Sequence, residues 1–190
     1  MHENTALRDH VHPHASYQRP TADRGFVRGH GVATVRGPDG AIKQQVAFDN
    51  LVTQVGDEYY GERAAGIGSP PDQVTGMRLG TGGANEAATK TGAGAAIDTY
   101  VSGSDKAIDG GFPTSSLSGS SRRITWETSW AAGEATANGI DEAVITNEDP
   151  LTDVAGTAAD TIARAVLSPV VNKGAADTLT ITWHHDILGA

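Results

Sequence analysis

Cysteine is absent from this chain, which removes disulfides, thiolate metal sites and cysteine nucleophiles from consideration. No apolar run approaches the roughly 20 residues of a membrane span, and the polar N-terminal stretch has no signal-peptide h-region. Neither a membrane partner nor export through a recognisable signal is therefore expected. Bulky core formers are scarce as well. Leu, Ile, Val and Phe together fall a little under the level of about 20 % below which a highly charged chain is suspected of disorder. Basic clusters are also missing: 14 Lys and Arg stand against 23 Asp and Glu, for a net charge of -9, and the cations are scattered. A nucleic-acid surface needs a clustered basic footprint, so no nucleic acid is expected. Acidity fits solubility, or a docking partner that carries positive patches.

What is present suits one β-rich domain. The 190 residues match a single domain with an appended arm. Residues 1–25 read as an extended N-terminal arm, polar and without apolar period. Residues 26–190 read as a single β-sandwich domain, jelly-roll-like, with one short helix. FVRGHGVATVR alternates as a strand, GPDG turns the chain, and AIKQQVAF returns as the hairpin partner. In DNLVTQVGDEYYGERAAGI the period changes. Asp49 or Asn50 can cap a helix in which Leu51, Val55 and Tyr59 form one apolar stripe. VTGMRLG is a short strand. A long Gly/Ala/Ser/Thr-rich excursion around residues 81–120 follows, and a structureless stretch of that length is expected to order against a neighbour. RRITWETSWAAG places Ile124, Trp126, Thr128 and Trp130 on one strand face. GIDEAVITNEDP gives another strand, and TIARAVLSPVV is open between strand and helix. DTLTITWHHDIL sets Leu179, Ile181, Trp183, His185 and Ile187 on one face.

Several constellations imitate chemistry. MRLGTGGANEAATKTG ends in Lys90 and Thr91 like a phosphate loop, but Ala84 and Thr89 stand where that loop requires glycine. Its glycines read instead as an exit turn from the sheet. His10, His12 and His14 alternate and could face one way in an extended arm. Without an acidic residue at ligand spacing they define no metal site, and with Tyr17 they are the candidate docking arm. His184 and His185 face opposite sides of a strand, whereas His184 and Asp186 share one. No nucleophile elbow accompanies them, so polar strand-edge or interface contacts are expected. The acidic pairs Asp57 and Glu58, Asp141 and Glu142, and Glu148 and Asp149 read as solvated loop charges. Calcium at Asn147, Glu148 and Asp149 would lack the glycine and terminal glutamate of a helix-loop-helix site. Trp126, Trp130 and Trp183 could stack on sugars, but on amphipathic strands in so thin a sequence they read first as core or interface. No catalytic residue, cofactor or metal is assigned.

The order of segments resembles a group of small virion structural proteins of tailed bacteriophages. The resemblance runs from a Gly-rich hairpin through FDNLVTQVGDEYY to MRLGTGG. It continues through an Ile-x-Glu-x-x-Ile segment, here Ile140, Glu142 and Ile145, to an Ala-Arg strand, a Lys turn and an alternating TLTITW strand. It implies a β-sandwich structural module with no enzymatic activity, located in the virion after assembly in the host cytoplasm. A capsid decoration, or cement, protein is the first reading, with the major capsid protein or neighbouring virion proteins as partners. Because the core is thin, a homo-oligomer is expected, with a trimer favoured. A tail, baseplate or fibre component is the alternative. A carbohydrate-binding module or enzyme using the tryptophan face is more distant.

Overall fold

The computed structural model describes residues 26–187. The proposed arm at residues 1–25, with His10, His12, His14 and Tyr17, lies outside these residues. Among the described residues nine strands dominate: β1 (Val27–Arg36), β2 (Ile42–Val52), β3 (Gly76–Gly80), β4 (Lys106–Ala107), β5 (Thr114–Ser118), β6 (Ser121–Trp130), β7 (Ala137–Thr146), β8 (Thr161–Lys173) and β9 (Thr178–Ile187), with one α-helix, α1 (Gln54–Ala65), between β2 and β3. All nine join one antiparallel sheet in the order β4-β3-β7-β8-β2-β1-β9-β6-β5.

That sheet is strongly curled. Past β4 the chain runs beside β6, where the Asp109 N–H donates to the Glu127 carbonyl at 2.8 Å. The Trp130 indole donates to the Ser104 carbonyl at 2.9 Å. The β4 end is thereby brought against β6, and the inner faces of both halves share one core. Met77, Leu79, Ala143 and Ile145 from one side belong to the same cluster as Trp126, Trp130, Ile181 and Trp183 from the other. All three tryptophans are buried, Trp126 directly opposite Trp183 in the β6–β9 ladder. A chain poor in bulky residues concentrates them where strands alternate, and large rings fill the centre.

Local readings of the sequence hold for the β1–β2 hairpin and for β3, β6, β7 and β9. The ambiguous TIARAVLSPVV segment is strand β8, with Ile162, Ala163 and Ala165 buried between β7 and β2. The helix begins later than the stripe of Leu51, Val55 and Tyr59 implies. Asn50, Leu51 and Val52 pair with Ala165, Arg164 and Ala163, so the ladder takes the first residues that the helical period claims. Thr53 then caps α1, its side chain accepting from the Gly56 N–H at 3.1 Å. The helix ends on Gly66 at φ 64°, the left-handed stop that glycine favours.

The excursion also departs from expectation. It is not structureless: it folds onto its own sheet, with Ala95, Ile97, Val101 and Ser104 buried, and it contributes β4 and β5.

Candidate functional site

The outer face of β2-β1-β9-β6 is a broad polar surface built by register. His30 stands opposite Asp49 on β2 and His184 on β9, and His184 stands opposite Thr125 on β6. One step along, Arg28 faces Asp186 and Asp186 faces Arg123. Alternation sends all of these to one side. A depression of about 400 Å³ lies among Arg28, His30, Val32, Asp49, Arg123 and Asp186.

Charge in this surface is largely paired. Arg123 donates twice to Asp186, at 2.8 and 2.9 Å, which holds the Asp186 carboxyl below the usual carboxylate range. His30 Nδ1 lies 4.0 Å from Asp186 Oδ2, and the His30 and His184 rings are 5.1 Å apart. Burial lowers the pKa of both histidines; Asp186 opposes the shift and Arg123 reinforces it. His184 Nδ1 shares a hydrogen bond with the Thr125 hydroxyl at 3.0 Å. A hydroxyl next to an imidazole is the start of a nucleophile–base pair, but Asp186 is committed to Arg123 and leaves His184 without an orienting carboxylate. The geometry favours contact over chemistry.

His185 points the other way, into the core. Its Nδ1 meets the Tyr60 hydroxyl at 2.6 Å, and its Nε2 accepts from the Trp183 indole at 3.0 Å. With Nε2 an acceptor, Nδ1 carries the proton of a neutral ring. Burial pushes the His185 pKa down to about 3. The expected opposition of His184 and His185 is thus realised, His185 serving the core.

A second polar centre holds the excursion in place. Between Ile140 and Glu142 the β7–β8 ladder is irregular, with the extra residues on β8, and the adjacent Asp141 and Glu142 reach the same turn. Asp141 accepts from the Gly83 and Ala84 N–H groups at 2.7 and 3.1 Å. Glu142 accepts from Gly82 and Thr99, each at 3.0 Å, and from Asp98 at 3.1 Å. Arg164, on β8, donates to Glu142 at 2.7 Å and to the Glu86 and Gly94 carbonyls at 3.0 and 3.2 Å. Glycine is needed here for close approach: a Cβ on Gly82 would collide with the Asp98 side chain, and one on Gly83 with the Asp141 carbonyl. The Gly-rich turn does gather backbone N–H groups around an anion, but the anions are the chain's own carboxylates.

Beside it, fully buried Arg78 pairs with Asp105 at 3.2 Å and with Glu148. The expectation of solvated acidic pairs is therefore wrong for Asp141 and Glu142, which are 7 % and 0 % exposed, and for Glu148. Asp57 and Glu58 are exposed on α1, with Lys90 of the excursion paired to Asp57. Trp126, Trp130 and Trp183 form no exposed platform, since all are core. Among the described residues, no group of three or more histidines and carboxylates is placed to hold a metal ion, and no helix is long and apolar enough to cross a membrane.

Sequence reasoning missed Arg78, Arg164 and His30. A visible signal existed for the arginines: each is a lone cation inside an apolar strand, in GMRLG and IARAV, and such a charge needs a buried partner. Glu142, within IDEAVI, is the complementary case. Compared with protein-family models, with curated protein sequences and with solved structures, the chain finds no match in any of the three.

Proposed function

We propose that the chain is a structural protein of a tailed-bacteriophage virion, a capsid decoration protein that binds the assembled shell as an oligomer. One observation carries this reading. The short segments that resemble such proteins meet in one buried knot. Leu51 of the Asn-Leu-Val-Thr segment pairs with Arg164 of the Ala-Arg strand. Arg164 holds Glu142 of the Ile-x-Glu-x-x-Ile segment. Glu142 in turn stands opposite Gly80 and accepts from Gly82 of the Leu-Gly-Thr-Gly turn. These contacts give the segments of the resemblance one shared structural role, and that is what supports the reading.

The finer fold reading, a β-sandwich module, is supported by the way the curl sets β3 and β7 across the core from β6 and β9. A decoration role draws on the same features. Internal ion pairs and hydrogen bonds hold the long excursion on its own sheet, beside a broad polar face, in a chain of net charge -9. Binding the assembled lattice in preference to its loose parts stabilises the shell by mass action.

The test is addition of the purified chain to particles from which its gene has been deleted. Saturable binding to heads and a higher temperature of DNA release are expected. Binding confined to tails would transfer the protein to the tail or baseplate, and absence of binding to any part of the particle would remove the virion reading.

A further inference from the structure

The two ends of the sheet differ. At one end β4 has two residues and its continuation is sealed against β6. At the other, β5 is an open edge: Thr114 to Leu117 are exposed, Leu117 to 73 %, and among the described residues β5 pairs only with β6. Free sheet edges are usually blunted by charge, proline or a bulge. The β5 sequence, TSSLS, contains none of these.

The hairpin geometry says which backbone groups are free. Ser118 stands opposite Ser121 across the two-residue loop Gly119–Ser120, with Gly119 at φ 61°, the primed-turn geometry for which glycine is suited. In such a hairpin the residues flanking the loop exchange both ladder bonds, and bonded pairs then alternate. Ser118, Ser116 and Thr114 therefore bond inward to β6. Ser115 and Leu117 turn their N–H and C=O groups outward, and among the described residues nothing pairs with them.

We infer that β5 is a two-fold dimerisation edge whose occupant is β5 of a second copy, running antiparallel about an axis through Ser116. In this register Ser115 lies opposite the second copy's Leu117 and Leu117 opposite its Ser115. All the outward N–H and C=O groups of both residues are then paired. Sliding the strands by two residues would set the outward groups against Pro113, which has no N–H, or against the turn at Gly119. Self-pairing brings no like charges together, because Thr114 to Ser118 carry none. Leu117 also loses exposed apolar surface, which favours association. Ser116 meets its own copy at a non-bonded position, where Cα atoms approach to about 4.5 Å, a separation compatible with a disulfide. The contact does not depend on the virion reading.

Two variants test it in the full chain. Leu117→Pro removes an outward N–H and leaves the inward ladder intact; it should convert a dimer, measured by light scattering at micromolar concentration, to a monomer with an unchanged circular dichroism spectrum. Ser116→Cys, in a chain with no other cysteine, should form a disulfide-linked dimer under mild oxidation at least tenfold faster than Ala47→Cys on the exposed face of β2. A monomeric wild-type chain, an oligomer that Leu117→Pro leaves intact, or cross-linking of Ser116→Cys no faster than the control would each overturn the inference.

Discussion

Glu142 and Arg164 lie on neighbouring strands, both fully buried, with Arg164 Nη2 2.7 Å from Glu142 Oε2. The pair links β7 and β8 to the excursion, because Glu142 also accepts backbone N–H groups from Gly82 and Thr99. Removing one partner leaves a buried charge uncompensated, which costs about 3–5 kcal/mol. Arg164→Met should therefore lower the unfolding free energy by that amount in urea denaturation. Glu142→Gln combined with Arg164→Met should recover much of the loss, since neither residue is then charged.

The turn beneath the excursion is tuned for close approach. Gly83→Ala would drive a methyl into the Asp141 carbonyl, and overpacking of this kind costs about 1–3 kcal/mol. The expected phenotype is local: limited proteolysis should cut within residues 84–92 of the variant while the rest of the chain stays resistant. Equal resistance in wild type and variant would show that the cradle is not what holds the excursion.

Acid should destabilise the fold through His185. Its folded pKa, about 3, lies below the ordinary histidine value of 6.5, so the unfolded chain takes up a proton that the folded chain refuses. Stability is unaffected above pH 6.5 and falls as pH drops below it, approaching a slope of about 1.4 kcal/mol per pH unit from this group. His30 and His184, also held low by burial, act in the same direction. Melting temperatures between pH 7 and pH 4.5 should decline, and His185→Gln should flatten part of that decline.

Trp183 sits at the centre of the core, edge-on to Phe48 with ring centroids 5.2 Å apart. Trp183→Ala should cost about 3–5 kcal/mol. Native fluorescence should be blue-shifted and poorly quenched by acrylamide, since all three tryptophans are buried. Efficient quenching would reopen the sugar-platform reading.

Much of this was legible in the sequence where period alone decides. Alternation located β1, β2, β6 and β9, and it put Trp126, Trp130 and Trp183 on inward faces. The helix boundary was not legible, because Leu51 and Val52 satisfy both periods and only their partners on β8 settle the matter. Nor was the order of the excursion, since what holds it is not its own composition but carboxylates some 40–60 residues away along the chain, on β7. Asp141 and Glu142 looked solvated because adjacent charges in a Gly-flanked stretch usually are. The irregular pairing with β8 beside them, and the turn that both carboxylates hold, are tertiary features.

Copy number in purified particles tests the central claim most directly. Quantitative mass spectrometry against the major capsid protein should find hundreds of copies per virion if the chain decorates the capsid lattice. A count of about three, six or twelve, the numbers that closed tail and baseplate rings impose, or the absence of the chain from particles, would contradict it.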